Sequence, residues 1–265
     1  MPRDEYRFEI DYYGKGYLGS PAVPKDVQLP SNYLDDPWRV CALALERAKQ
    51  GDFGLMPALL QLHGNTNEAA LDHVCSALLT DAGTVTCFSR IVEIVKSEPN
   101  LSRVFDFCGA LAVRGELSYI PILLDKYLSN EGSAEAECLT DYIRVLVGDQ
   151  LLSVDADDYE DAVMLCYQRM LNEFNNERVL VLQGERYGVI RLARHILRDL
   201  RSPYFLLRWK LGFEAATGID CSSWYQGETL QPLAAAAIIE EFLESPQSAK
   251  YEDGVRYFFG HRIPD

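Results

Sequence analysis

Apolar side chains recur with a helical period along most of the chain. In NLSRVFDFCGALAVR, from Asn100, Val104, Phe107, Cys108 and Leu111 fall at i, i+3, i+4 and i+7, the spacing of one buried helix face. DPWRVCALALERAKQ, from Asp36, and NEAALDHVCSALLTDA, from Asn67, carry the same kind of pattern. Asp36 is the expected N-cap of its helix, with Pro37 at the first helical position. Each pattern stops at a glycine (Gly51, Gly83, Gly115), where a left-handed cap is expected. A second apolar pattern follows each glycine: GDFGLMPALL, GTVTCFSRIV and GELSYIPILL, whose starts lie 32 residues apart. Leu59, Ile91 and Leu123 align, as do Leu60, Val92 and Leu124, Met56, Phe88 and Ile120, and Phe53, Val85 and Leu117. The middle copy has Ser89 where the others have proline. The repeating unit is therefore helix, glycine turn, helix. One such pair cannot bury its stripe alone, and stacked neighbours share a core.

A degraded fourth unit is expected in AECLTDYIRVLVGDQ, ending in Gly148-Asp149. The helical pattern YEDAVMLCYQRMLNEF follows an acidic loop, SVDADD. YGVIRLARHILRDL and LAAAAIIEEFLES are further helices, and YEDGVRYFFGHRIPD reads as a C-terminal cap. At the other end, YRFEIDYY alternates Tyr6, Phe8, Ile10 and Tyr12 with the period of a strand, and GKGYLGSPAVP reads as a flexible loop or arm. The expected organisation is a non-helical, β-patterned arm or hairpin at 1–34, repeats over 35–150, and further helices with an aromatic cap over 151–265, continuous with the repeats.

The period is shorter than the 40–47 residues of long HEAT units, and neither T-P-L-H nor W-x₂-L-G stands where ankyrin or TPR repeats would need it. The glycine-acid turn and proline-containing second helix resemble short HEAT-like repeats over residues 36–130. That resemblance implies an all-α fold, a HEAT-like α-solenoid of stacked helical hairpins.

Charge narrows the function. The chain has 40 acidic and 25 basic residues, a net charge of −15, which argues against general nucleic-acid binding. An acidic surface suits a basic partner, or simply keeps the chain soluble. The seven cysteines include no CxxC and read as reduced core residues. MPRDEYRFEI lacks the apolar core of a signal peptide, and no stretch suits a membrane span. A cytoplasmic protein, monomeric when free, is the expectation.

Few residues suggest chemistry. Gly14-x-Gly16-x-x-Gly19 matches a dinucleotide fingerprint, but Ser20-Pro21-Ala22-Val23-Pro24 follows in place of the required helix. Asp155, Asp157, Asp158, Glu160 and Asp161 form the densest acidic cluster. It lacks the glycine and glutamate of a calcium loop, and reads as a solvated helix start or a docking surface for a basic partner. His63, His73, His195 and His261 have no metal spacing, and no nucleophile elbow occurs. No cofactor, metal or catalytic residue is assigned. Arg191, Arg194, Arg198 and Arg201 line one helix face, expected either to match the acidic helices of 131–177 within the chain or to form a patch for an anion or acidic partner. Trp224, Tyr225, Tyr257 and Phe258 are aromatics of the hot-spot type, expected either to cap the core or to anchor a partner.

A small, acidic HEAT-like chain with a GxRYFFGHRIP-type tail resembles bacterial immunity proteins of polymorphic toxin systems. That resemblance implies a non-enzymatic antitoxin that covers a cognate toxin domain by direct binding. HEAT-like repeats also occur in bilin lyases and DNA alkyl-base glycosylases, so an enzyme remains the alternative class, and a general adaptor a third.

Overall fold

The computed structural model describes residues 6–24, 26–63, 65, 68–148, 158–200 and 206–265. The fold is all-α in class, with eleven α-helices among those residues. In chain order these are α1 (Pro37–Lys49), α2 (Met56–Leu62), α3 (Ala69–Ala82), α4 (Val85–Ser97), α5 (Leu101–Arg114), α6 (Ile120–Ser129), α7 (Ala134–Val147), α8 (Tyr159–Phe174), α9 (Val189–Asp199), α10 (Leu206–Thr217) and α11 (Pro232–Glu244). Three two-residue hairpins accompany them: β1 (Val181–Leu182) with β2 (Glu185–Arg186), β3 (Tyr225–Gln226) with β4 (Thr229–Leu230), and β5 (Tyr257–Phe258) with β6 (His261–Arg262). The chain divides into two compact units, Met1–Cys87 together with Gly188–Asp265, and Phe88–Tyr187.

The helix boundaries follow from a few residues. The Asp36 carboxylate accepts from the Arg39 N–H at 3.3 Å, with Pro37 opening α1. Asn100 caps α5 through the Ser102 N–H and Ser133 caps α7 through the Ala136 N–H, both at 3.1 Å. Gly51 and Gly115 take φ of 84° and 81°, as the glycine stops predict. Gly83 does not: its φ of −62° and ψ of 135° are extended, and only Gly83 and Thr84 separate α3 from α4.

The cause is Ser89. Pro57 and Pro121 have no N–H to give the carbonyl four residues back, so each sits at the second position of its helix, α2 or α6. The residues before are left to a tight turn. Ser89 carries the missing donor, and α4 starts one turn earlier, at Val85. The aligned apolar sets face inward all the same: Met56, Phe88, Ile120, Leu59, Ile91 and Leu123 are all fully buried.

In the Phe88–Tyr187 unit, α5, α6, α7 and α8 pack around one another, and the β1–β2 segment seals the glycine turn after α5. The Val181 N–H donates to the Gly115 carbonyl at 2.6 Å, and the Leu117 N–H to Val179 at 2.9 Å. The hairpin turn then closes a helix end. Gln183 and Gly184 donate their N–H groups to the Val145 and Leu146 carbonyls of α7 at 2.8 and 2.7 Å. The other unit repeats the device: Phe259 and Gly260 donate to the Ala215 and Ala216 carbonyls of α10 at 2.6 and 2.8 Å. Gln183 and Phe259 hold φ of 53° and 49° to present those groups, a conformation uncommon for side chains of this kind. The last carbonyls of a helix have no partner within it, and these turns supply one.

The strand-like alternation at the start of the chain is real, but no strand forms. Phe8 and Ile10 are buried while Arg7, Glu9 and Asp11 face water, and the backbone pairs only at the isolated bridge Asp11↔Gly16. Nor is GKGYLG a flexible loop. Asp11 accepts from the Tyr13 and Gly14 N–H groups at 3.1 and 2.8 Å, and Tyr17–Gly19 forms a 3₁₀ turn with Tyr17 wholly buried.

Candidate functional site

The densest polar arrangement among the described residues lies inside the Met1–Cys87 and Gly188–Asp265 unit. α10 reads LLRWKLGFEAAT, with Lys210 and Glu214 one turn apart and both fully buried. The Lys210 ammonium donates to the Gly14 carbonyl at 2.6 Å and lies 3.5 Å from the Glu214 carboxylate. The other Glu214 oxygen accepts from the Tyr17 N–H at 3.1 Å. Gly16, with φ of 48°, lets the arm pass so close to Glu214 that a Cβ there would overlap the carboxylate. The Tyr17 hydroxyl donates to Asp81 at the end of α3, at 2.7 Å. Arg208 clamps both oxygens of Asp81, one at 3.0 Å and the other closer still. Arg256 completes the assembly by donating to the Thr80, Asp81 and Gly83 carbonyls where α3 ends.

Buried charge has to be paired and hydrogen-bonded, and here each charge is answered by the arm, by α3 or by α10. Burial raises the Glu214 carboxyl to about 7, with Lys210 pulling the other way. Burial, followed by the Asp81 charge, pushes the Tyr17 phenol well above its ordinary value and keeps it a donor. All the partners lie within the fold, so the cluster fastens the arm rather than opening to a substrate. Tyr17, Asp81, Arg208, Lys210 and Glu214 carry no role expected from the sequence, and Arg256 is expected only as part of the aromatic C-terminal cap. The available signals are Lys210 and Glu214 at i and i+4 within an apolar run, and Asp81 within ALLTDA.

The residues expected at a partner surface separate into three groups. Asp155 and Asp157 lie outside the described residues. Asp158, Glu160 and Asp161 are exposed at the start of α8. The aromatics are mostly interior, which corrects the partner-anchor reading for three of them. Trp224 is fully buried against Phe213, with ring centroids 6.2 Å apart. Phe258 is fully buried, 5.5 Å from the Tyr17 ring. The Tyr257 hydroxyl donates to the Lys250 carbonyl at 3.1 Å beneath the surface. Only Tyr225 is partly open, edge-on to Tyr13 at 5.3 Å. Large aromatic side chains remove the most apolar surface from water when buried, and Trp224, Tyr257 and Phe258 fill the core.

Two arginines of the α9 stripe find partners at Asp253 and His195, neither of them on the helices of 131–177 where a match is expected. Arg191 meets Asp253 at 3.2 Å, Arg198 lies 3.3 Å from His195, Arg194 is exposed, and Arg201 lies outside the described residues. His195 is buried edge-on to Trp209 and bonded to Asp199 at 3.0 Å. Among the described residues no three His, Cys, Asp or Glu side chains are gathered to hold a metal, and no helix is long and apolar enough to cross a membrane.

The exposed acidic face belongs to the Phe88–Tyr187 unit. Residues 88–187 carry 18 acidic and nine basic side chains. Glu137 on α7 and Asp158, Glu160 and Asp161 at the head of α8 face solvent and join no ion pair among the described residues. Leu165, four residues beyond Asp161 and so on the same side of α8, is 72% exposed. No family model, curated protein or solved structure matches this chain.

Proposed function

We propose that the chain is a non-enzymatic, protein-binding antitoxin of the immunity-protein kind, with the outer face of α8 as its docking surface. The observation that carries this reading is the combination on that helix of exposed carboxylates, which join no ion pair among the described residues, with an exposed leucine. Carboxylates accelerate encounter with a basic surface over distances of about 10 Å at moderate salt. An apolar anchor then supplies the short-range burial that charge alone does not. A toxin that handles nucleic acid or nucleotides carries a basic cleft, and covering it needs no chemistry from the inhibitor. The three 32-residue helix pairs are read as HEAT-like repeats, a scaffold that presents such a face. No cofactor takes part, the partner is a cognate toxin domain, and the setting is the cytoplasm.

The test is to sequence the gene's neighbours for a candidate toxin domain and co-express that domain with this chain, followed by stopped-flow association at rising ionic strength. Rescue of growth is expected, with a one-to-one complex whose association slows at least about tenfold between low and high salt. Growth arrest that persists despite soluble expression of both chains would sink the antitoxin reading. Rescue with salt-independent association would remove the acidic face from it.

A further inference from the structure

We propose that Cys41 and Cys75 are a redox modification site: a dithiol that closes to a disulfide joining α1 to α3 when the chain folds in the presence of a disulfide oxidant of the glutathione class. Their sulfur atoms lie 3.4 Å apart, in contact with nothing between them. Both residues are fully buried, one on each of two packed helices. The other five cysteines have no second thiol in hydrogen-bond contact among the described residues. Mutual approach of about 1.4 Å would bring these two sulfurs to bonding distance, a shift that side-chain rotation and a small helix adjustment share.

The chemistry proceeds by two exchanges. One thiolate attacks the oxidised glutathione, forming a mixed disulfide and releasing one reduced glutathione. The second thiol loses its proton and attacks the mixed disulfide, which releases another reduced glutathione and leaves the Cys41–Cys75 bond. Two protons and two electrons leave the protein and reduce one oxidant molecule to two thiols. In the folded chain the sulfur of Cys75 and burial hold the Cys41 thiol well above its ordinary range, and no oxidant can reach it. The exchange therefore takes place while α1 and α3 are still closing on each other, and the finished bond is then shielded from reduction.

The position gives the bond a consequence. α3 ends in the residues that hold the arm through Tyr17, α10 through Arg208 and the C-terminal segment through Arg256. A cross-link from α1 fixes the element to which all three are tied, and it closes a long loop in the unfolded chain.

The test refolds the chain from urea into glutathione buffers of stepped potential, so that access to the thiols is not limiting. Remaining thiols are then blocked and the disulfides mapped by peptide mass spectrometry. A Cys41–Cys75 cross-linked peptide is expected, with an equilibrium constant for forming this disulfide on the order of 100-fold higher after refolding than in chains held in urea. The thermal midpoint should rise on oxidation and stay unmoved by oxidant in Cys41→Ser and, should that variant not fold, in Cys75→Ala. Free Cys41 and Cys75 across the whole series, pairing scrambled among all seven cysteines, or equal oxidation in the folded and unfolded states would overturn the proposal.

Discussion

Residues 88–187 carry 18 acidic and nine basic side chains, and the remaining residues carry 22 and 16. The two units differ in where that charge goes as well as in its balance. The discontinuous unit draws ionic groups inward, with Lys210, Glu214 and Asp81 buried and Arg208 mostly so. The continuous unit buries only cations among its described residues, Arg114 and Lys126, and keeps its surplus of carboxylates outward, at Glu137, Asp158, Glu160 and Asp161. Interior charge in the first holds distant segments in one register. Exterior charge in the second contributes little to stability and is free to serve recognition. A carboxylate therefore means different things in the two units, although the sequence writes it with the same letter.

The largest expected effect that separates them is the loss of Asp81. Asp81→Ala leaves the Arg208 guanidinium and the Tyr17 hydroxyl without their shared acceptor. It should destabilise the chain by about 3–5 kcal/mol in urea unfolding. A loss below about 1 kcal/mol would mean that the interior charges are not what holds this unit. Next comes the pH response of Glu214. Its carboxyl lies at about 7 in the fold, against an ordinary value near 4.5, so the folded state binds the proton more tightly than the unfolded chain does. Its contribution is complete below about pH 4.5 and is lost as the pH rises through 7, a decline of about 3 kcal/mol. Urea midpoints at pH 5, 6, 7 and 8 should fall in that order for this reason, and Glu214→Gln should flatten the slope. An unchanged slope in the variant would assign the decline to other groups. The smallest expected effect is the outward counterpart. Asp158→Asn, Glu160→Gln and Asp161→Asn combined should leave stability within about 0.5 kcal/mol, and a larger loss would show that these carboxylates serve the fold.

Much of the helical frame is legible before any coordinates. Asp36, Asn100 and the glycines at 51 and 115 mark their helix ends because capping is a local affair of a few adjacent residues. The apolar stripes of α5, α8, α9 and α11 likewise follow from period alone. α10 is hidden for a physical reason: two of its inward positions are Lys210 and Glu214, which break the stripe and are tolerated only because Gly14 and Tyr17 arrive from almost 200 residues away. The hairpin turns at Gln183-Gly184 and Phe259-Gly260 lack the usual Asn-Gly signal, since helix carbonyls reached through tertiary contact help hold the unfavourable backbone. Trp224, Tyr257 and Phe258 look alike as anchors or as core, because composition does not report which side of a chain faces water. The acidic cluster is visible in the sequence, but its exposure and the neighbouring Leu165 are not.

The two turns that close α7 and α10 also set an order of events during synthesis. The one at Gln183-Gly184 belongs to a continuous stretch, so everything its unit needs has been made by residue 187. The one at Phe259-Gly260 completes a unit whose first helices, α1 to α3, were made roughly 180 to 220 residues earlier. Until those last residues emerge, the end of α10 and the carbonyls that Arg256 reaches on α3 have only water to bond. The acidic unit can thus finish folding on the ribosome while the half that encloses it in sequence is still waiting for its closing piece.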